Sequence, residues 1–579
     1  NCDRFAESCT TVKRPRLLLA TLAAALALTG SASAAGNPWG VSVVRFAHGT
    51  TPAQMRSAVT ASGGVVVGDL SAIDALAVVP RSVGFDASLS SKRSVTGLFA
   101  DTLIGTDNRE GLREGGHDSG PGDGFAGDFP DPWHALFQWD DERMNVQPAW
   151  LRTTGDHSIA VAVIDTGVDA DHRELRGVVD KKLGGNFIPC DDLKALFGLG
   201  FIDRSGLRDC RDGDFEGHGT WVASRIAGAL NGFASNGVAP GVRIGSYKVL
   251  AAGLGGLSSW ILSGLVAACS DPRIDVVNMS IEAYVDPSDP ASVDDYLLFT
   301  DAVDFCLSRG VPVFAAAGNA HVRVDRVNMT LDGQQLEGIG QVSTGSEGIA
   351  TPLPGSDSLD DYDLRGGLVL PGGVPGVTMV SATANAIGAA PASVPLRWHS
   401  HVGARDQLAY YSNYGSRVDL AAPGGARAYE IPAYDGGEGD VLAGGWGSFG
   451  ALAKDGLICS DPFEASTFNS ACFTASGDAY GWLQGTSMSS PNAAGVAALM
   501  LSAHPELDGR PSALVGRLTA TASRAPVNYM GPNDPANTAP SLSGVPCATG
   551  FCHLDQSHAI GFADAYGAGL VDADAAVGR

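Results

Sequence analysis

The sequence predicts an α/β fold built on a central parallel sheet, preceded by a small α+β domain. Three observations carry this. Ile159–Ile164 and Val311–Ala317 are unbroken apolar runs of strand length, each followed at once by a polar turn, as expected of strands buried on both faces. Met488–Ala503 is a helix-length stretch of small and apolar residues. Before residue 101 the pattern runs strand, helix, strand twice within about 60 residues, the order of a ferredoxin-like unit.

The chain opens with Lys13, Arg14 and Arg16, then the apolar run Leu17–Thr29, then Ser31-Ala32-Ser33-Ala34. A basic region, an apolar core and a small-x-small pattern make a secretory signal, with cleavage expected after Ala34; the run is too short for a membrane span. Residues 1–11 are expected to lie upstream of a translation start near Val12. No later stretch has the length and purity of a span, so a soluble, exported protein without a membrane anchor is expected. With 63 acidic and 38 basic residues the formal charge is -25, which opposes nucleic-acid binding.

Eight of the ten cysteines lie beyond the signal: Cys190, Cys210, Cys269, Cys306, Cys459, Cys472, Cys547 and Cys552. An even number in an exported chain favours disulfides, and four local pairs are the simplest of many pairings. No Cys-x-x-Cys pair or His-rich cluster suggests zinc.

In the small domain (35–101), Val41–Phe46, Val65–Val67, Ile73–Val79 and Val95–Phe99 read as strands, Pro52–Ala61 and 83–90 as helices. Residues 102–131 carry Gly115-Gly116, Ser119-Gly120-Pro121-Gly122 and several aspartates with little apolar periodicity, and read as a linker. From 132 to 579 the composition is that of one large domain, without a repeat of solenoid period.

The chemistry follows in chain order. Ile159–Ile164 ends at Asp165-Thr166-Gly167, where open parallel sheets carry their ligand and catalytic groups. Glu216-Gly217-His218-Gly219-Thr220 puts an uncrowded imidazole at a helix start. Val311–Ala317 ends at Gly318-Asn319. Gly485-Thr486-Ser487-Met488-Ser489-Ser490-Pro491 sets Ser487 at the N-terminus of a helix, where backbone N–H groups and the helix dipole favour developing negative charge. Each residue alone reads as a cap, a turn or a buried histidine. Together they are an acid, a base, an amide donor and a nucleophile.

These four segments, with Tyr411–Ser416, Val418–Gly424 and the closing Tyr566–Ala573, resemble the subtilisin-like serine peptidases (subtilases). The resemblance implies a subtilisin-like three-layer fold with Ser487 as nucleophile, His218 as general base, Asp165 orienting His218, and Asn319 in the oxyanion hole. It also implies that 35–101 is a propeptide that assists folding and inhibits, with maturation in 102–131. The order acid, base, nucleophile is not that of chymotrypsin-like enzymes, and Gly-x-Ser-x-Gly of the α/β-hydrolases is absent. Asp169 is expected to be structural.

The segment Ser280-Ile281-Glu282 resembles the substrate-pairing edge, so these three are expected to bind substrate. Glu282 stands where the family usually has glycine; it narrows the cleft or favours a basic side chain, or else bends outward to solvent. Asn492 replaces a histidine common after the serine-proline pair, which is read as a packing change. Residues 321–378 and 425–480 are long insertions, expected to be surface loops, the second restricting the cleft or holding an exposed aromatic patch around Trp446 and Trp482. No cofactor is expected for catalysis; the family resemblance and the aspartate content are compatible with structural calcium, with no ligands assigned. The expected partners are protein or peptide substrates and the chain's own propeptide, and the expected state is a monomer.

Overall fold

A computed structural model describes residues 39–104, 138–197, 210–350, 362–384, 407–409, 411–425, 447–460, 472–524 and 560–578. The signal-like region, most of the linker, Cys547 and Cys552, and residues 426–446 and 461–471 of the second insertion lie outside the described residues.

The small domain is β1 (Ser42–Phe46), α1 (Pro52–Ala61), β2 (Gly64–Leu70), β3 (Ala75–Pro80), α2 (Phe85–Ser90) and β4 (Val95–Ala100). Helix α1 starts in a capping box: the Thr51 hydroxyl accepts from the Gln54 N–H, and the Gln54 side chain accepts from the Thr51 N–H, with Pro52 in the first turn. The strands pair antiparallel in the order β2-β3-β1-β4. Strand periodicity then sorts the apolar residues. Val44, Leu76 and Val78 face α1 and α2 with Met55, Val59, Phe85 and Leu89. Val43, Ala75, Ala77 and Val79 face the other way and pack on the large domain. Past β4, Leu103–Ile104 (β5) adds an antiparallel pair to the large domain.

The large domain begins its described part with α3 (Trp139–Arg143). Its central sheet contains β6 (Ala160–Asp165), β7 (Val179–Asn186), β8 (Arg243–Lys248), β10 (Val276–Met279), β12 (Val313–Ala316), β16 (Thr378–Ala384), β17 (Gln407–Leu408) and β18 (Leu420–Pro423). The order is β17-β16-β12-β10-β6-β8-β7, with β18 also paired to β16. All but β17 run parallel.

Alternate residues of β6 feed opposite layers. Val161 and Val163 pack under α4 (His218–Ala227) and α7 (Thr486–Ala503). Ala160, Ala162 and Ile164 pack under α5 (Ser258–Ser270) and α6 (Pro290–Ser308). This is the expected three-layer α/β arrangement. The small domain covers the α5–α6 layer, and β5 pairs with β9 (Gly256–Leu257), just before α5.

The first insertion is not a loop. Val324–Leu331 (β13) and Gln334–Val342 (β14) form a hairpin that joins Leu368–Leu370 (β15) and Ala283–Val285 (β11) in a four-stranded antiparallel sheet. Alternation in β13 is clear (Val327, Met329 and Leu331 inward), but glycine and aspartate between the strands masked it as irregular chain.

The second insertion also differs. Ser448–Leu452 (β19), Phe473–Ala475 (β20) and Asp478–Leu483 (β21) make a small sheet. Trp482 is buried there with Phe449 and Tyr480, so the expected exposed patch is absent at this residue. Trp446 lies outside the described residues.

Three disulfides form among the described cysteines: Cys190–Cys210, Cys269–Cys306 and Cys459–Cys472. Among the described residues no helix is long and apolar enough to cross a membrane.

Candidate active site

Asp165 closes β6 and His218 opens α4. The His218 Nδ1 lies 2.8 Å from Asp165 Oδ1, both side chains being buried. Against a carboxylate the imidazole N–H must be on Nδ1, which leaves Nε2 as the basic nitrogen. Gly219 allows the approach: a Cβ there would sit 2.1 Å from the Gly167 carbonyl oxygen and 3.0 Å from Asp165 Oδ1.

Asp214 holds this pair in place, and the sequence reading missed it. Its Oδ1 accepts from the Thr166 hydroxyl and the N–H groups of Glu216 and Gly217; its Oδ2 accepts from the N–H and hydroxyl of Thr220. One buried carboxylate therefore fixes the residue after Asp165 and both sides of His218. The available signal was an aspartate four residues before the histidine, at a helix start short of donors' partners. Glu216 is also buried beside His218, with Oε2 accepting from Gly253 N–H at 3.3 Å. Burial, with help from Asp214 and Asp165 against the pull of His218, pushes its carboxyl up to about 8. Asp169, expected to be structural, takes part in a turn: its N–H donates to Thr220 and its carboxylate accepts from Asp171 N–H.

Ser487 lies in the first turn of α7, which starts at Thr486, two residues earlier than the sequence suggested. Residues Thr486–Leu501 are all buried, so α7 runs through the core rather than along the surface. Pro491 has no N–H to give the Ser487 carbonyl four residues back. That carbonyl instead accepts from the Ser280 hydroxyl at 2.8 Å, while the Ser487 hydroxyl lies 3.4 Å from the Ser280 carbonyl. Asn278 and Ser490 complete the tie, the Asn278 amide donating to Ser280 Oγ and the Ser490 hydroxyl donating to Asn278 Oδ1.

Asn319 follows β12 and meets the same helix start. Its Oδ1 accepts from both the N–H and the hydroxyl of Thr486, at 2.8 and 2.9 Å. With Oδ1 so engaged, the donor end of the amide is directed away from Thr486. The backbone N–H of Asn319 donates to Glu282 Oε2 at 2.7 Å.

The three expected substrate residues therefore behave differently. Ser280 is tied to Ser487. Ile281 turns its side chain into the core under α5 and α6, so only its backbone can border a cleft. Glu282 is 5% exposed and faces the Asn319 turn, which rules out the outward alternative. Asn492 does serve packing: it accepts from Arg225 and donates to the Pro423 carbonyl, and Arg225 pairs with Asp140 and Asp141 of α3. Among the described residues no group of three or more His, Cys, Asp or Glu side chains is placed to hold a metal ion.

Subtilisin amylosacchariticus of Bacillus subtilis subsp. amylosacchariticus is 26% identical over 348 residues, 60% of this chain and 56% of that relative. This chain thus spans little more than half of the length of that protein. Subtilisin of Bacillus pumilus is likewise 26% identical, over 60% of this chain and 78% of its own. Among solved structures, the epidermin leader peptide processing serine protease EpiP of Staphylococcus aureus superposes with a TM-score of 0.56 at 16% identity, covering 93% of this chain and 97% of that one. Fervidolysin from Fervidobacterium pennivorans gives 0.52 at 18%, covering 93% and 61%. A family-wide match runs over residues 156–568 and takes in the segments of Asp165, His218, Asn319 and Ser487: the chain belongs to the Subtilase family.

Proposed function

We propose that the chain is a secreted serine endopeptidase made as a zymogen. The observation that carries the reading is the convergence of two hydrogen-bonded pairs, Asp165–His218 and Asn319–Thr486, on the C-terminal ends of β6 and β12. Ser487 Oγ attacks the peptide carbonyl and passes its proton to His218 Nε2, while Asp165 offsets the imidazolium charge. The carbonyl oxygen becomes an oxyanion that accepts from the Asn319 amide and the Ser487 N–H. His218 returns the proton to the departing amine. Water, activated by the same imidazole, then frees the acyl-enzyme.

The N-terminal domain is read as the inhibitor. Its β5 already pairs in extended form with Gly256–Leu257, as a substrate strand added to a sheet edge would. The signal-like start and the three disulfides support export. The buried Glu282 favours a peptidase of restricted specificity over a general one.

Fluorophosphonate labelling tests the reading without a known substrate: wild type should label at Ser487, and Ser487→Ala and His218→Ala should not. Failure of the wild type to label would overturn it. N-terminal sequencing of secreted wild type and Ser487→Ala side by side tests self-maturation. Equal processing of both would assign the cut to another peptidase.

A further inference from the structure

We propose that Glu282 selects a basic side chain, Arg or Lys, on the substrate residue whose carbonyl is attacked. The proposal rests on the serine-peptidase reading above.

The attacked carbonyl carbon must bond to Ser487 Oγ while its oxygen points to the Asn319 amide. The side chain one atom away is thereby confined to the space bordered by the Ser280–Glu282 segment and the 317–319 turn. Ser280 is anchored to Ser487 on one side, and the Glu282 carboxylate reaches the Asn319 N–H, 2.7 Å away, on the other. Polar atoms crowd the Gly318 side of this turn. A Cβ built on Gly318 would lie 2.2 Å from Glu282 Oε2, 2.3 Å from Asn413 Nδ2 and 2.7 Å from the Tyr284 hydroxyl. Gly318 also holds a φ of +103°, which excludes a larger residue on backbone grounds as well. An apolar side chain brought here would meet a buried carboxylate and offer it no partner.

The charge has a second consequence. A carboxylate next to Asn319 stands close to the oxygen that becomes negative during attack, and like charge there opposes the step. A guanidinium or ammonium placed between them pairs with Glu282 and removes that opposition. A basic residue therefore gains in the transition state, and its advantage appears in kcat as well as KM.

Arginine and citrulline have nearly the same shape and differ in charge. Two peptide amides that differ only by this exchange at the attacked residue isolate the effect. With wild type produced as the whole chain and left to mature, kcat/KM should favour arginine by at least about 30-fold, the lower range for a desolvated charge pair. Glu282→Gln keeps an acceptor for the Asn319 N–H and should bring the ratio to within about threefold. A wild-type ratio near one would overturn the proposal and leave Glu282 as a support for the Asn319 turn alone. An unchanged ratio in Glu282→Gln would overturn it by assigning selection to another group. If Glu282→Gln does not fold, the wild-type ratio decides by itself. Absence of fluorophosphonate labelling at Ser487 would instead mark failure of the peptidase reading.

Discussion

Asp101 of the N-terminal domain and Asp295 of the large domain are buried against a single hydroxyl, that of Ser258 at the start of α5. The distances are 2.8 and 2.9 Å. Ser258 has one hydrogen to donate, so one of the two contacts needs a protonated carboxyl. Burial pushes Asp101 up to about 6, against its hydrogen bonds to Ser259 and Ser258, and pushes Asp295 up to about 8, with Asp101 adding to the rise. Asp294 raises Asp295 further, and Thr102 and Ser258 lower it.

Docking of the two domains therefore takes up protons. The interface contribution is complete below the ordinary carboxylate range near 4 and is lost as pH rises through about 6 and 8. In a Ser487→Ala chain cut at an engineered linker site, the dissociation constant for the N-terminal domain should rise by up to about tenfold per pH unit in that window. Asp101→Asn should make the dependence shallower. A constant that does not change between pH 5 and 8 would contradict a protonated carboxyl at this interface.

Asp214→Ala should lower both activity and stability. Five donors lose their acceptor together, at about 2–5 kcal/mol of stability. The displaced imidazole should lower kcat/KM by about 100-fold. Asp214→Asn, which keeps one acceptor oxygen, should fall between the two. Urea unfolding and steady-state kinetics on the same preparations check both parts.

Asn319→Ala should lower kcat by about 100- to 1,000-fold with little change in KM, because in the proposed mechanism the amide donates to an oxygen charged only in the transition state. An equal loss appearing in KM alone would mean that Asn319 binds the ground state.

Cys269–Cys306 joins α5 to α6 across 37 residues, beneath the face on which the N-terminal domain rests. Replacing both by alanine should cost about 2–4 kcal/mol of stability. The loss should appear in the uncut chain as a lower thermal midpoint, and treatment of the wild type with a reductant should approach it.

The four candidate site residues and the parallel sheet were legible in the sequence because each is encoded locally. An unbroken apolar run defines a central strand whose end carries Asp165 or Asn319 beside a glycine, and Gly217 and Gly219 flank His218 at a helix start. The alternation in 41–99 likewise gave the order of strands and helices in the small domain. What remained hidden depends on chain segments far apart in sequence. Asp214 looks like an ordinary turn aspartate until Thr166 and Thr220 close on it, and Glu282 could not be oriented until the Asn319 turn was set beside it. Asp101 and Asp295 come to a single hydroxyl only because the domains meet at Ser258. The hairpin 324–342 was taken for loop because glycine and aspartate weaken a strand pattern that pairing with 368–370 makes good. Local sequence determines which backbone shapes are accessible; burial and charge at a given atom are set by whatever packs against it, and only the tertiary structure decides that.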